Sequence, residues 1–439
     1  MRKEIAVRFM RVSAAATLWL AGAVASPAQR LLTLDEAVTL ASAHSRSVQR
    51  AALGPDMIAD QMSAVRTQRL PQFSLTAFAG ELVNRPSILL PGSAPGSTER
   101  FVSPERPITF AFAQANVPLS DQYKIGLRIR NLELEKQLKT QEVRGVRADI
   151  VAAVKDVYYQ IILSDFDLKT ADYNTQQCVE LERVTAQYYG EKTVLRSELL
   201  NVQVRCARTE YDAVVLRDRV AEQKESMNSL LGRRLDEDFK VSALGEANAD
   251  SPGVAELREV ALAANPSIRQ ARIRVEQAKV AERIKRSEYI PETSLSMNYI
   301  STTGLPGTFP QKVAAAGVLV AWNPFDWGKK RHESSELARA EKQATLALKD
   351  EEDKVQIAVG VQVRKLAEAR QLIAAARINQ DRAQEEARVM QVRYSTNAAL
   401  MKTVLETQAA AAAAQAETHK ALTEYWEAAA NLEKIMGGR

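Results

Sequence analysis

The chain has 439 residues, 26% of them charged, yet a formal net charge of only +5. So small an excess, without a basic patch carrying interleaved aromatics, argues against a nucleic-acid partner. Two cysteines and three histidines are too few for a Cys/His metal centre, so neither a metal nor a cofactor is expected.

Residues 1–25 read as a signal peptide. Arg2, Lys3, Arg8 and Arg11 form a basic start, Val12 to Val24 is an apolar run too short to span a bilayer, and Ala23-Val24-Ala25 is a small-residue cleavage site. Its removal would leave a charge of about +2. No later apolar run is long enough for a transmembrane helix, so the exported protein is expected either outside the cytoplasm in solution or inserted as β-structure.

Helical periodicity covers Leu34 to Arg69, and a proline at Pro71 stops it. The pattern then shifts to period two, predicting strands at about 72–83 and 107–117. In the second, Ile108, Phe110 and Phe112 alternate with Thr109, Ala111 and Ala113, so one face is expected to be apolar. A Pro/Gly/Ser-rich loop, "NRPSILLPGSAPGSTERFVSPERP", should join them. Lys124 to Tyr189 contains no proline and reads as one helix of about 65 residues, or on the order of 100 Å. Val143, Ile150 and Val157 recur at seven-residue steps, as do Val154, Ile161 and Leu168, which is the seam of a coiled coil. The chain should turn back near Lys192 into a return helix ending at Gly232.

The whole unit is then repeated. "LTLDEAVTLASAHSRSVQRA" is echoed by "GVAELREVALAANPSIRQARI", "LPQFSLT" by "IPETSLS", "ANVPLSDQYK" by "AWNPFDWGKK", and "VLRSELLNVQ" by "ALMKTVLETQ". The repeats are placed at 26–245 and 246–439. The second has strands at about 292–301 and 312–322, a long helix over Lys329 to Tyr394 whose Val359, Leu366 and Ile373 continue the seam, a turn near Asn397 and an end at Gly437. In its first strand Leu295, Met297 and Tyr299 alternate with Ser294, Ser296 and Asn298. Four strands cannot close a barrel, and lipid tolerates no open edge, so a spanning sheet requires two or three chains.

The corner "WNPFDWG" marks the exit from sheet to helix. Pro324 ends the strand ladder, Asp326 is a candidate helix cap, and Trp322 and Trp327 suit either a membrane–water boundary or the core of a domain junction.

This order of residues resembles the TolC-like outer-membrane efflux proteins over about residues 31–439. The resemblance rests on the duplicated unit, the "VPLSD" and "NPFDWGKK" corners, the "YSTNAALMKTVLETQ" turn and the closing "NLEKIMGG". It implies a mainly α protein with a transmembrane β part: a homotrimer with a 12-stranded β-barrel in the lipid of the outer membrane, joined to a long α-helical barrel across the periplasm. It implies a passive duct in a tripartite efflux or type I secretion system, docked on a periplasmic adaptor and an inner-membrane pump. By resemblance, the adaptor grips the hairpin tips at Lys192, Val194, Leu195 and Ser197, and at Asn397, Ala399, Leu400 and Lys402. Lys192 and Asn397 stand where the family usually has glycine; Asn tolerates the left-handed conformation that such a turn needs, and Lys does so less well. The pore constriction would fall at Thr403 and Glu406, where the family can carry two acids; Glu406 alone would give one carboxylate ring.

Cys178 and Cys206 flank Lys192 at similar distances, so antiparallel helices would bring them level. A Cys178–Cys206 disulfide stapling the hairpin is one expectation for the periplasm, and two buried thiols the other. The alanine run Ala409 to Ala414 should mark close helix packing, and His44, His332 and His419 should sit at surfaces or helix ends. A periplasmic coiled-coil adaptor or a fibrous structural protein without a channel are the alternatives, but an adaptor normally carries one hairpin, not two. No catalytic constellation stands out, so an enzyme is not expected.

Overall fold

A computed structural model describes residues 30–81, 83, 87–91, 95–102, 107–242, 253–304, 311–396 and 398–438. The leader expected at 1–25, the repeat boundary at 245–246 and the tip residue Asn397 lie outside the described residues.

The first repeat runs β1 (Arg30–Leu32), α1 (Leu34–His44), α2 (Arg46–Thr67), β2 (Gln72–Gly80), β3 (Ser87–Pro91), β4 (Thr98–Val102), β5 (Ile108–Pro118), α3 (Asp121–Gly190), α4 (Arg196–Leu231) and β6 (Phe239–Val241). The second runs α5 (Val254–Ala264), α6 (Pro266–Arg286), β7 (Glu292–Thr303), β8 (Lys312–Ala321), α7 (Lys329–Ser395) and α8 (Met401–Ile435). Among the described residues no helix is long and apolar enough to cross a membrane.

Each opening helix, expected to be continuous, is broken in two. The break falls at Ser45 (ψ 126°) and at Asn265 (ψ 126°). In the second repeat the cause is visible: Pro266 starts α6 and disfavours the helical region for the residue before it. Asn265 then works in both directions. Its Oδ1 accepts from the Ser267 and Ile268 N–H groups (2.8 and 3.4 Å), and its Nδ2 donates to Ile435 O (2.8 Å), which ties the end of α8 to the break. The return helices close against these breaks. Gly232 (φ 70°) lies so near His44 that a Cβ would stand 2.6 Å from its carbonyl oxygen, and at Gly437 (φ 99°) a Cβ would stand 2.9 Å from Ala264 O. The duplication thus extends to the contacts that lock each repeat.

The hydrophobic core forms a belt at mid-height of the long helices. One cluster holds Leu32, Val154, Tyr158, Ile161, Met227, Leu231 and Phe239; the other holds Leu257, Ile268, Val359, Leu366, Ile373, Tyr425 and Leu432. Half-buried Trp426 packs against both. Burial follows the expected seam at Val154, Ile161, Val359, Leu366 and Ile373, whereas Val143, Ile150 and Val157 are only half-buried. Buried Tyr158 fastens the belt to the short parallel ladder of β1 and β6: its hydroxyl lies 3.0 Å from both Leu32 O and Ser242 O and accepts from Ser242 N at 3.0 Å. Of the alanine run, Ala414 is buried, but Ala409, Ala410 and Ala413 are exposed. His419 does not sit at a surface or a helix end. It lies in mid-α8, half-buried and stacked on Phe166 with ring centroids 3.9 Å apart.

The four expected strands form one antiparallel sheet in the order β2-β5-β7-β8. β2 stops at Gly80, earlier than expected, because its pairing with β5 ends at Gly80 opposite Ile108. The segment expected to be all loop contains a further hairpin, β3 paired with β4. The sheet is open. β2 and β8 are its edges, and they are exposed along nearly their whole length.

Candidate functional site

The four-stranded sheet has two unlike faces, and register decides which residue lies on which. Residues directly paired across antiparallel strands point the same way. Ala113 pairs with Leu75 and Tyr299, and Ala115 with Phe73 and Met297, while Val318 pairs with Leu295. One face therefore carries Phe73, Leu75, Ala111, Ala113, Ala115, Leu295, Met297, Tyr299, Val318 and Val320. It is apolar over most of its height, interrupted by Thr293 beside the helices and turning polar at the far end with Thr109, Ser301, Thr303 and Lys312. Phe73, Leu75, Met297 and Val318 are among its most exposed side chains, at 81, 75, 56 and 62%. A broad exposed apolar face with a polar rim suits lipid.

The opposite face carries Gln72, Ser74, Gln114, Asn116, Ser294, Ser296 and Asn298. Phe110 and Phe112 form the apolar row of β5, and Leu295, Met297 and Tyr299 that of β7. Phe112 pairs with Ile300, not with Tyr299, so the two rows lie on opposite faces of the sheet.

Where the sheet meets the helices, a cavity of about 610 Å³ opens on the polar face, lined by Gln72, Asn116, Lys124, Arg128, Glu292 and Trp322 among others. Lys124, although buried, is held as an ion by Glu292 Oε1 at 2.8 Å and Asp121 Oδ1 at 3.4 Å. This bond ties the first turn of α3 to the first residue of β7. The corner residues stand beside it. Asp326 caps α7, its carboxylate accepting from Gly328 N (3.1 Å) and Lys330 N (3.0 Å). Trp327 (φ 54°) and Gly328 (φ 84°) make the sharp turn before it. Trp322 and Trp327 are 58 and 88% exposed in the single chain, and Pro324 follows the last strand residues, so neither tryptophan belongs to a core within this chain.

At the opposite end the two hairpins finish in matched turns. Lys192 does adopt the left-handed conformation (φ 58°). Thr193 N–H donates to Tyr188 O and Lys192 N–H to Tyr189 O, both at 3.0 Å, which is a Schellman closure with lysine where glycine is usual. In the second hairpin Ala398 N–H donates to Arg393 O at 2.7 Å. Leu195 and Leu400, each extended and each preceding its return helix, are 70 and 74% exposed. Val194 and Ala399 are half-buried, while Ser197 and Lys402 are exposed. Thr403 is half-buried one turn above the tip, and Glu406 is exposed with Lys402 Nζ 3.9 Å from its carboxylate. An acidic ring at Glu406 would therefore be partly neutralised by its own helix. Some way up the first hairpin, Cys178 and Cys206 are joined by a disulfide, with Cα atoms 5.4 Å apart. Among the described residues no cluster of His, Cys, Asp or Glu has the makings of a metal site.

The candidate site is thus a path and not a pocket, with a two-faced sheet at one end, a charged junction, a belt and paired apolar tips. Residues 257–438, α5 to the end of α8, match the family model described as outer membrane efflux protein. Comparison with curated proteins gives no match. Among solved structures, the outer-membrane channel OprN aligns with 92% of this chain and 90% of its own at 16% identity, TM-score 0.75. The CmeC outer membrane channel of Campylobacter jejuni aligns with 92% of this chain and 85% of its own at 13% identity, TM-score 0.76. The outer membrane protein VceC of Vibrio cholerae aligns with 92% of this chain and 96% of its own at 14% identity, TM-score 0.72. Over 92% of its length the chain carries the fold of these outer-membrane channels, and residues 257–438 match the outer membrane efflux protein family.

Proposed function

We propose that this protein is the outer-membrane channel of a tripartite efflux or type I secretion system. It acts as a passive duct that receives substrates from an inner-membrane pump and releases them across the outer membrane. The observation that carries this reading is the open sheet: one face apolar over most of its height, the other polar over the half nearer the helices, and both edges unpaired among the described residues. Such a sheet is stable in lipid only when its edges are closed by further copies. Three chains give twelve strands, and the long hairpins of α3–α4 and α7–α8 then form the wall of a periplasmic tube. Transport needs no chemistry from this chain, and no reaction is assigned to it.

The exposed tips, Leu195 and Leu400 with Val194, Ser197, Ala399 and Lys402 around them, are the surface for the periplasmic adaptor. Thr403 and Glu406 line the narrow end of the tube. The test is cross-linking in whole cells between the tips and a co-expressed adaptor, with a Leu195→Asp/Leu400→Asp variant as the probe. Loss of the cross-link and of export, with the protein still in the outer membrane, is expected. Undiminished cross-linking would overturn the docking assignment.

A further inference from the structure

The polar face of the sheet is zoned along its height. Nearest the helices stand Glu292 and Lys124, then the amides and hydroxyls of Gln72, Ser74, Gln114, Asn116, Ser296 and Asn298. Toward the far end the character changes. Phe78 pairs with Phe110, and Thr76 with Phe112, which pairs in turn with Ile300 and then Val313. The rings of Phe78 and Phe110 lie 6.3 Å apart. Phe78 folds over Gly80, where a Cβ would meet its ring at 2.7 Å, so a residue without a side chain leaves the phenyl room to lie there. In a half-polar strand, nothing about the fold requires phenylalanine on the polar side. At this same height the outer face has turned polar, with Thr109, Ser301, Thr303 and Lys312, so these rings are not a continuation of the lipid-facing surface.

We propose that Phe78, Phe110 and Phe112, with Ile300 and Val313, form an apolar collar inside the barrel that selects for apolar and aromatic cargo, organic cations above all. The inference rests on the trimeric barrel proposed above. Closing three sheets brings three sets of rings to one level of the lumen. A hydrated ion crossing there meets phenyl surface with little to replace its water, whereas an apolar cation gains contact with ring faces. The amide zone below offers hydrogen bonds to anything passing, so discrimination belongs to the collar.

Two measurements test this. The two cysteines of the sequence are bonded to each other, so a thiol introduced elsewhere is the one a reagent reads. In intact cells a charged, membrane-impermeant thiol reagent should label Phe112→Cys and not Met297→Cys. The reverse pattern would put the rings in lipid and overturn the collar. Labelling of both would defeat the barrel, and the collar with it; labelling of neither would mean the rings do not face the outer lumen. In planar bilayers tetraphenylphosphonium should block the current of the wild-type trimer, while tetramethylammonium should not. Phe110→Ser/Phe112→Ser should weaken that block at least about tenfold. Equal block in both proteins overturns the collar and leaves the channel reading standing. Absence of any wild-type current defeats the channel reading itself.

Discussion

Removing the Cys178–Cys206 disulfide should loosen the tip of the first hairpin and leave the rest of the molecule intact. The bond closes a loop with a sequence separation of 28. In the chain-entropy account such a closure stabilises the ordered state by about 3.6 kcal/mol. Between the two cysteines the buried side chain is Leu181, whose burial contributes about 1.5–3 kcal/mol. Beyond the bond Gln203 Nε2 donates to Glu182 across the hairpin (3.0 Å), and on the belt side of it Arg217 pairs with Asp172 (3.2 Å); both are exposed, and an exposed ion pair contributes roughly 0–1 kcal/mol. Beyond the bond the apolar residues Leu195, Leu200 and Val204 are open to solvent. Hydrogen exchange on the intact protein, with and without reductant, reads the effect directly. Amides between residues 178 and 206 should exchange faster on reduction, by up to a few hundredfold as a ceiling. The second hairpin has no disulfide and is the internal reference. Trypsin should also begin to cut at Lys192. Unchanged exchange in this segment after verified reduction would refute the argument that the staple, and not side-chain packing, holds the tip.

Two further outcomes follow from packing and titration. Gly232→Ala should destabilise the first repeat by about 1–3 kcal/mol, since it puts a Cβ against His44 O in a left-handed residue. Gly437→Ala should act the same way on the second repeat, and thermal melts within about 0.5 kcal/mol of wild type for both would contradict the locking role given to these glycines. Burial against Phe166 lowers the His419 imidazole pKa, with Asp167 opposing. The unfolded chain therefore binds this proton more readily than the folded one. The stability it affects is fully present above the ordinary histidine value of about 6.5 and is lost as pH falls below it. His419→Leu should flatten the decline in melting temperature between pH 7.5 and 5.5; an unaltered slope would show that His419 titrates as if free. Burial pushes the Asp167 carboxyl up and the neighbouring His419 and Arg219 pull it down, so the change in slope reads the His419–Asp167 pair and not the imidazole alone.

Much of this architecture was readable because it is periodic and written twice. The four strands, both long helices and the turns near Lys192 and Gly232 all follow from patterns local to the chain. The helix break before Pro266 had a signal in its Asn-Pro pair, but its twin at Ser45 has no proline and is visible only through the repeat. The β3–β4 hairpin hid in a segment whose prolines and glycines spoke for loop. The larger omission was the orientation of Phe110 and Phe112. Alternation shows that a strand has two faces, but only pairing with other strands shows which face is shared, and that register joins residues nearly 200 positions apart. The same holds for His419, whose partner Phe166 lies on another helix.

A duct of this kind depends on a trimer inserted in the outer membrane, and the native mass of the protein extracted from salt-washed outer membranes in mild detergent reads that state. A species of about three chains that stays with the membrane through the wash is expected, because only closed strands satisfy their edges in lipid. A monomer or dimer released into the soluble fraction would contradict it.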